Sequence, residues 1–187
     1  MITRLKASGL STFKVSDAAR LTGKSKDYVY LILSKSKRFH RVQNGIYYID
    51  GAEPLAIASS IVPISYISLA SAFSYYGLID QIPKAIKVIT IHRHKPIGDV
   101  QGMRVEFKTV KRKMIYGYGV AKAVSIAEPE KAIVDSLYLN EDTRYLQEVL
   151  RNATASKSID ADKLMEYAKR SGVGTVIRKA KSLLEAI

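Results

Sequence analysis

Two short helical patterns hinged at Gly23, two strand-like runs split by Asn44-Gly45, and a shift to β-branched, alternating segments between residues 85 and 127 predict an α+β chain. The expected architecture is an N-terminal winged helix-turn-helix over residues 1–50, followed by a small α+β domain over residues 51–187 that ends in a helical tail.

Composition narrows the functions open to such a chain. A 47% hydrophobic fraction over 187 residues is enough for a real core, so a folded chain is expected rather than a disordered one. Thirty Lys and Arg against seventeen Asp and Glu give a net charge of +13, a balance that favours polyanions. The excess is uneven: residues 1–50 hold ten basic side chains against Asp17, Asp27 and Asp50. With no cysteine, disulfides, thiol catalysis and Cys-based zinc sites are excluded. "MITRLKASGLS" has no apolar signal region, so a cytoplasmic protein is expected.

In "FKVSDAARLTGKSKDYVYLILSKSKRFHRVQNGIYYI", residues 13–49, Ser16 is placed to cap a first helix that turns Ala18, Ala19 and Leu21 inward. Gly23 supplies the turn and Ser25 caps a second helix, in which Val29, Ile32 and Leu33 form the buried stripe. "FHRV" and "IYYI" read as a hairpin, because Asn and Gly both tolerate positive φ. Ile2 and Leu5, three apart, suggest a supporting helix before them. A helix-turn-helix with a hairpin behind it places the second helix in the DNA major groove. Lys26, Tyr30 and Ser34 then reach base edges, and Ser25 and Lys35 lie near the backbone. Lys37, Arg38 and Arg41 flank the wing, with Asn44 in its turn, and neutralise phosphates. The same elements could instead serve a protein contact with a solvated basic face, and exposed Tyr30 and Leu31 fit either use.

Residues 54–79 carry no charge, long enough for a membrane span by length alone. Six serines and Pro63 argue instead for short buried helices joined at the proline, one of them over Ser65 to Tyr76 with Leu69, Phe73 and Tyr76 inward. Next come strand patterns at 85–93 and 103–110, then a turn and further strand within 116–127, for which a short antiparallel sheet is expected rather than a parallel one. His92 and His94 on one strand face could ligate a metal but have no third His or Cys nearby and only Asp99 as a close carboxylate, and a basic strand end that meets a polyanion together with Lys111, Arg112 and Lys113 is the plainer reading. No cofactor is expected.

In "IAEPEKAIVDSLYL", Pro129 fits the first helical position and places Glu128 and Glu130 at the helix N-terminus. Ile133 and Leu137 face inward, and Lys131 with Asp135 make an i, i+4 pair on an outer face. These carboxylates do not converge on a substrate, which argues against an enzyme. Helices follow at about 144–151, 160–170 and 174–186, and "GVG" ahead of the last reads as a helix–loop–helix connection rather than a phosphate loop.

Four stretches, "VSDAARLTGKSKDYVYLILSK", "NGIYYI", "SYISLASAFSYYGLIDQIP" and "IAEPEKAIVDSLYL", in this order over residues 13 to about 139, resemble the AbiEi-type antitoxins of AbiE (type IV) toxin–antitoxin systems and their archaeal relatives. The resemblance implies an autoregulating repressor whose N-terminal domain binds double-stranded DNA repeats in its own promoter. It also implies an antitoxin-like domain over 51–187 that counters a nucleotidyltransferase toxin encoded beside it. A homodimer on repeated half-sites and no membrane association complete the expectation. The alternative is a protein-interaction module that binds a partner, such as a toxin, without specific DNA binding.

Overall fold

The computed structural model describes residues 2–7 and 9–187, with the side chains of Ile2 and Lys6 outside the described part. The expected inward role of Ile2 therefore lies outside the described residues; Leu5 is fully buried. The N-terminal region runs α1 (Ile2–Ala7), β1 (Thr12–Lys14), α2 (Val15–Thr22), α3 (Lys26–Lys35), β2 (Phe39–Gln43) and β3 (Ile46–Ile49), with a three-stranded antiparallel sheet in the order β1-β3-β2. Leu5, Phe13, Val15, Ala18, Val29, Leu33, Phe39 and Ile49 form its core. Strand alternation lets β3 serve two cores. Tyr47 and Ile49 pack on this cluster, while Ile46 and Tyr48 pack on the larger one formed by the rest of the chain.

The remainder contains α4 (Pro54–Ser60), β4 (Ser65–Ile67), α5 (Ala70–Tyr75), β5 (Ala85–Thr90), β6 (Ile97–Val100), β7 (Met103–Thr109), β8 (Tyr118–Ala121), β9 (Val124–Ala127), α6 (Pro129–Tyr138), α7 (Thr143–Ala155), α8 (Ala161–Arg170) and α9 (Gly174–Glu185), with one 3-10 turn at Arg112–Met114. The chain is thus mixed α and β. Six strands form one sheet in the order β6-β7-β5-β4-β9-β8. The expected antiparallel sheet is corrected to a mixed one: β4 runs parallel to β9, and β5 runs parallel to β7.

The uncharged stretch 54–79 breaks into α4, β4 and α5, and no helix among the described residues is long and apolar enough to cross a membrane. The expected helix over Ser65 to Tyr76 is corrected as well. Ser65, Tyr66 and Ile67 pair with Thr90, Ile89 and Val88 of β5, and the helix begins only after Leu69, which adopts φ 56° and ψ −144°. For a β-branched-poor, Ser/Ala-rich segment this is tertiary pairing overriding local preference.

β8 and β9 form a hairpin whose two loop residues, Lys122 and Ala123, both take positive φ, 48° and 67°. That geometry suits Asn-Gly and strains side chains with a Cβ. Lys122→Asn with Ala123→Gly should therefore stabilise the fold by about 1 kcal/mol, read as a higher urea midpoint at unchanged m-value. An unchanged or lower midpoint would refute the strain argument.

Helix α6 is buried on nearly every side, from Glu130 through Leu137. The expected outer-face pair is thus a correction: Lys131 and Asp135 are both fully buried. A 3.6-residue stripe cannot reveal a second covered face, which here is packed by α8 and α9.

Candidate nucleic-acid interface

α3 stands on the N-terminal core by Val29 and Leu33, so its other face is left to solvent. Gly23, at φ 68°, ends α2 in the left-handed conformation. Ser25 Oγ accepts the Tyr28 backbone N–H at 3.3 Å, the expected cap of α3. The cap expected from Ser16 is corrected: α2 starts two residues earlier, with Lys14 at its N-cap and the Asp17 carboxylate accepting the Lys14 N–H at 3.0 Å.

The β2–β3 hairpin forms as expected, with one adjustment. Only Gly45 takes positive φ, 77°, so the turn does not use the tolerance of Asn44 for that region. A register irregularity between Arg41 and Gln43 bends β2. That strand then lies beside α3 across an open groove of about 580 Å³, lined by Asp27, Tyr30, Leu31, Leu33, Ser34, Phe39, Arg41 and Tyr47.

Of the expected contact residues, this groove gathers Tyr30, Ser34 and Arg41. Ser25, Lys26, Lys35, Lys37, Arg38 and Asn44 are exposed on the same two elements and the turns that flank them, outside the groove lining. Ser34 Oγ donates to the Leu31 carbonyl at 2.9 Å, a bond it can exchange for one to a ligand. Among the described residues, Lys26, Lys35, Lys37, Arg38 and Arg41 make no ion pair, whereas Arg20 is paired with Asp17 at 3.5 Å. The wall residues Asp27, Phe39 and Tyr47 had no assigned role in the sequence. Tyr47 could have been found from strand alternation, since it points opposite to Ile46 and Tyr48.

A second basic cluster follows from topology. Because β5 and β7 are parallel and in register from Ala85↔Arg104 to Thr90↔Thr109, the segments after them leave the sheet at one end. They carry exposed Arg93 and Lys95 and exposed Lys111, Arg112 and Lys113. His92 and His94 lie beyond the end of β5, not on a strand face as expected, and the His94 ring packs on Phe107 with centroids 4.3 Å apart. No group of three or more His, Cys, Asp or Glu able to hold a metal occurs among the described residues. The Gly-x-Gly segment is the loop between α8 and α9, where the Gly172 carbonyl accepts Lys113 Nζ at 3.4 Å.

The carboxylates of the α6 region have divergent partners. Glu128 accepts the Tyr167 hydroxyl and lies 3.2 Å from Lys163. Burial and the bond to Glu128 push the Tyr167 phenol up to about 12. Glu130 accepts the Asp160 N–H at 2.9 Å, tying the start of α6 to the start of α8. Asp135 takes the ammonium of Lys131 on one oxygen; on the other it accepts Ser68 Oγ at 2.9 Å and Tyr66 Oη at 3.1 Å. Lys131 Nζ also donates to Tyr66 Oη at 3.0 Å and lies 4.7 Å from the Tyr116 ring centroid. Burial lowers the Lys131 pKa and raises that of Asp135, each opposed by the other's charge. These bonds join β4 to α6 inside the core, where the charged atoms have no access to a substrate. In comparison with known proteins, no family model and no curated protein matches the chain.

Proposed function

We propose that the chain is a non-catalytic, sequence-specific DNA-binding regulator. Its first fifty residues act as a winged helix-turn-helix, with α3 as the recognition helix and the β2–β3 hairpin as the wing. The observation that carries this reading is the single groove in which Tyr30 and Ser34 of α3 face Arg41 of β2, set among cations that make no ion pair among the described residues. Tyr30 and Ser34 offer hydrogen bonds to base edges, and the unpaired cations supply phosphate contacts. The order α1-β1-α2-α3-β2-β3 suits it, with α2 and α3 joined by a tight glycine turn.

The resemblance to AbiEi-type antitoxins extends the proposal to an autoregulating antitoxin that acts on repeats upstream of its own gene. In this reading residues 51–187 form the antitoxin-like domain, and the functional partner is a nucleotidyltransferase toxin. A nucleotidyltransferase gene beside this one is the first check. A second reading, a protein-interaction module, is favoured by the exposed Leu31 and Tyr28 on α3. The deciding experiment is binding to the DNA upstream of the gene against random duplex over a salt series. The regulator reading expects at least about a thousandfold preference and steep salt dependence. Equal affinity for both duplexes overturns it and leaves the interaction module.

A further inference from the structure

The six-stranded sheet ends in two unlike edges. β6 is irregular between Ile97 and Val100 and carries exposed Asp99, whose carboxylate accepts the Gly102 N–H at 2.6 Å. A bulged, charged edge is protected from pairing with another strand. β8 has neither device: residues 114–121, "MIYGYGVA", hold no charge and no proline, and Val120 is 77% exposed.

The hydrogen-bonding phase of β8 identifies its free groups. The Gly117 carbonyl accepts the Glu128 N–H at 3.0 Å, so Gly119↔Ile126 and Ala121↔Val124 are the bonded pairs with β9. The N–H and C=O groups of Tyr118 and Val120 therefore point away from β9, and no described residue pairs with them there. We infer that β8 is the contact strand of an isologous dimer, in which β8 of a second copy of this chain pairs antiparallel with it about a two-fold axis at Gly119.

This register uses every free group. Tyr118 exchanges both backbone bonds with Val120 of the second copy, and Val120 exchanges both with Tyr118, while the two Gly119 residues meet at the non-bonded position. Tyr118 and Val120 share one strand face, so each tyrosine, already stacked 4.5 Å from Tyr66, lies across from a β-branched valine. Lys122, in the hairpin loop, is carried to opposite ends of the pair, and Arg170 lies over the Tyr116 ring, 4.6 Å from its centroid, before the strand begins. The contact is small, which places the dimer in the weak, concentration-dependent class. At +13 per copy the protomers repel each other, so salt strengthens the dimer; phosphate binding has the opposite salt dependence, and the two are separable.

Sedimentation equilibrium without DNA tests this up to high micromolar protein at low and high salt. The expected mass rises from 20.8 kDa towards twice that value, more steeply at high salt. Val120→Lys, at a solvent-facing position, should weaken the dimer by roughly tenfold or more, while Val120→Thr retains it. Hydrogen exchange on the unaltered protein should show concentration-dependent protection of the Tyr118 and Val120 amides. A constant monomer mass overturns the inference, as does a dimer that Val120→Lys leaves intact or one without protection at these two amides. An edge reserved for a peptide from another protein appears as the constant monomer.

Discussion

Lys131→Met alone should destabilise the protein by about 3–5 kcal/mol, because it leaves the fully buried Asp135 without its counter-ion. Removing the whole arrangement should cost far less. In Lys131→Met with Asp135→Leu and Ser68→Ala, the ion pair becomes apolar packing and the Ser68 hydroxyl no longer loses its acceptor. Tyr66 keeps the Met114 carbonyl at 3.4 Å. This triple variant should be between neutral and about 4 kcal/mol more stable than the natural sequence. The pKa directions support that sign. Burial holds Asp135 above its ordinary 3.8 and Lys131 below its ordinary 10.5, so between these values the ionised pair is less favourable folded than unfolded. With Lys131 gone, the raised Asp135 pKa makes the loss small near pH 4, where the folded state holds the proton and the unfolded state has only begun to lose its own, and larger as pH rises towards the folded value. Urea unfolding of the single and triple variants at pH 4 and pH 7 measures both effects. A triple variant as damaged as Lys131→Met would mean that the pair itself stabilises the core.

What was legible in the sequence was what short-range chemistry decides. The Ser25 cap, the Gly23 turn and the Asn44-Gly45 hairpin each need only a few adjacent residues, and all three formed. The tail helices α7, α8 and α9 were legible for a similar reason, each having one apolar stripe and one wet face. β4 was not, because Ser65, Tyr66 and Ile67 are strand only by virtue of β5 on one side and β9 on the other. The parallel pairing of β5 with β7 also depends on partners that no local pattern reveals. The burial of Lys131 and Asp135 has no local signal either, because tyrosines and a serine distant in sequence satisfy their charges. In the candidate interface, α3 and Arg41 were readable individually, but the groove between them required the bent β2.

Replacing Lys37, Arg38 and Arg41 together with alanine should lower affinity for both specific and random duplex by roughly one to two orders of magnitude at low salt. If each cation neutralises one phosphate, the slope of log affinity against log salt becomes shallower by about 0.9 per residue, or nearly 3 in total. Folding should be unaffected, since the three side chains are exposed and make no ion pair among the described residues. Tyr30→Ala and Ser34→Ala should act differently. On the proposed function they remove the groups that contact base edges, so each should cost about 1–3 kcal/mol on the specific sequence, little on random DNA, and leave the salt slope unchanged. The contrast tests the division of labour directly, because a surface that only attracts polyanions has no sequence term for Tyr30 and Ser34 to lose. A protein-contact surface gives a third pattern: alanine at Tyr30 or Leu31 abolishes partner binding, and the cation set leaves it nearly intact at physiological salt. If neither set alters DNA binding, α3 and the hairpin are not the interface, and the basic segments after β5 and β7 become the next place to look.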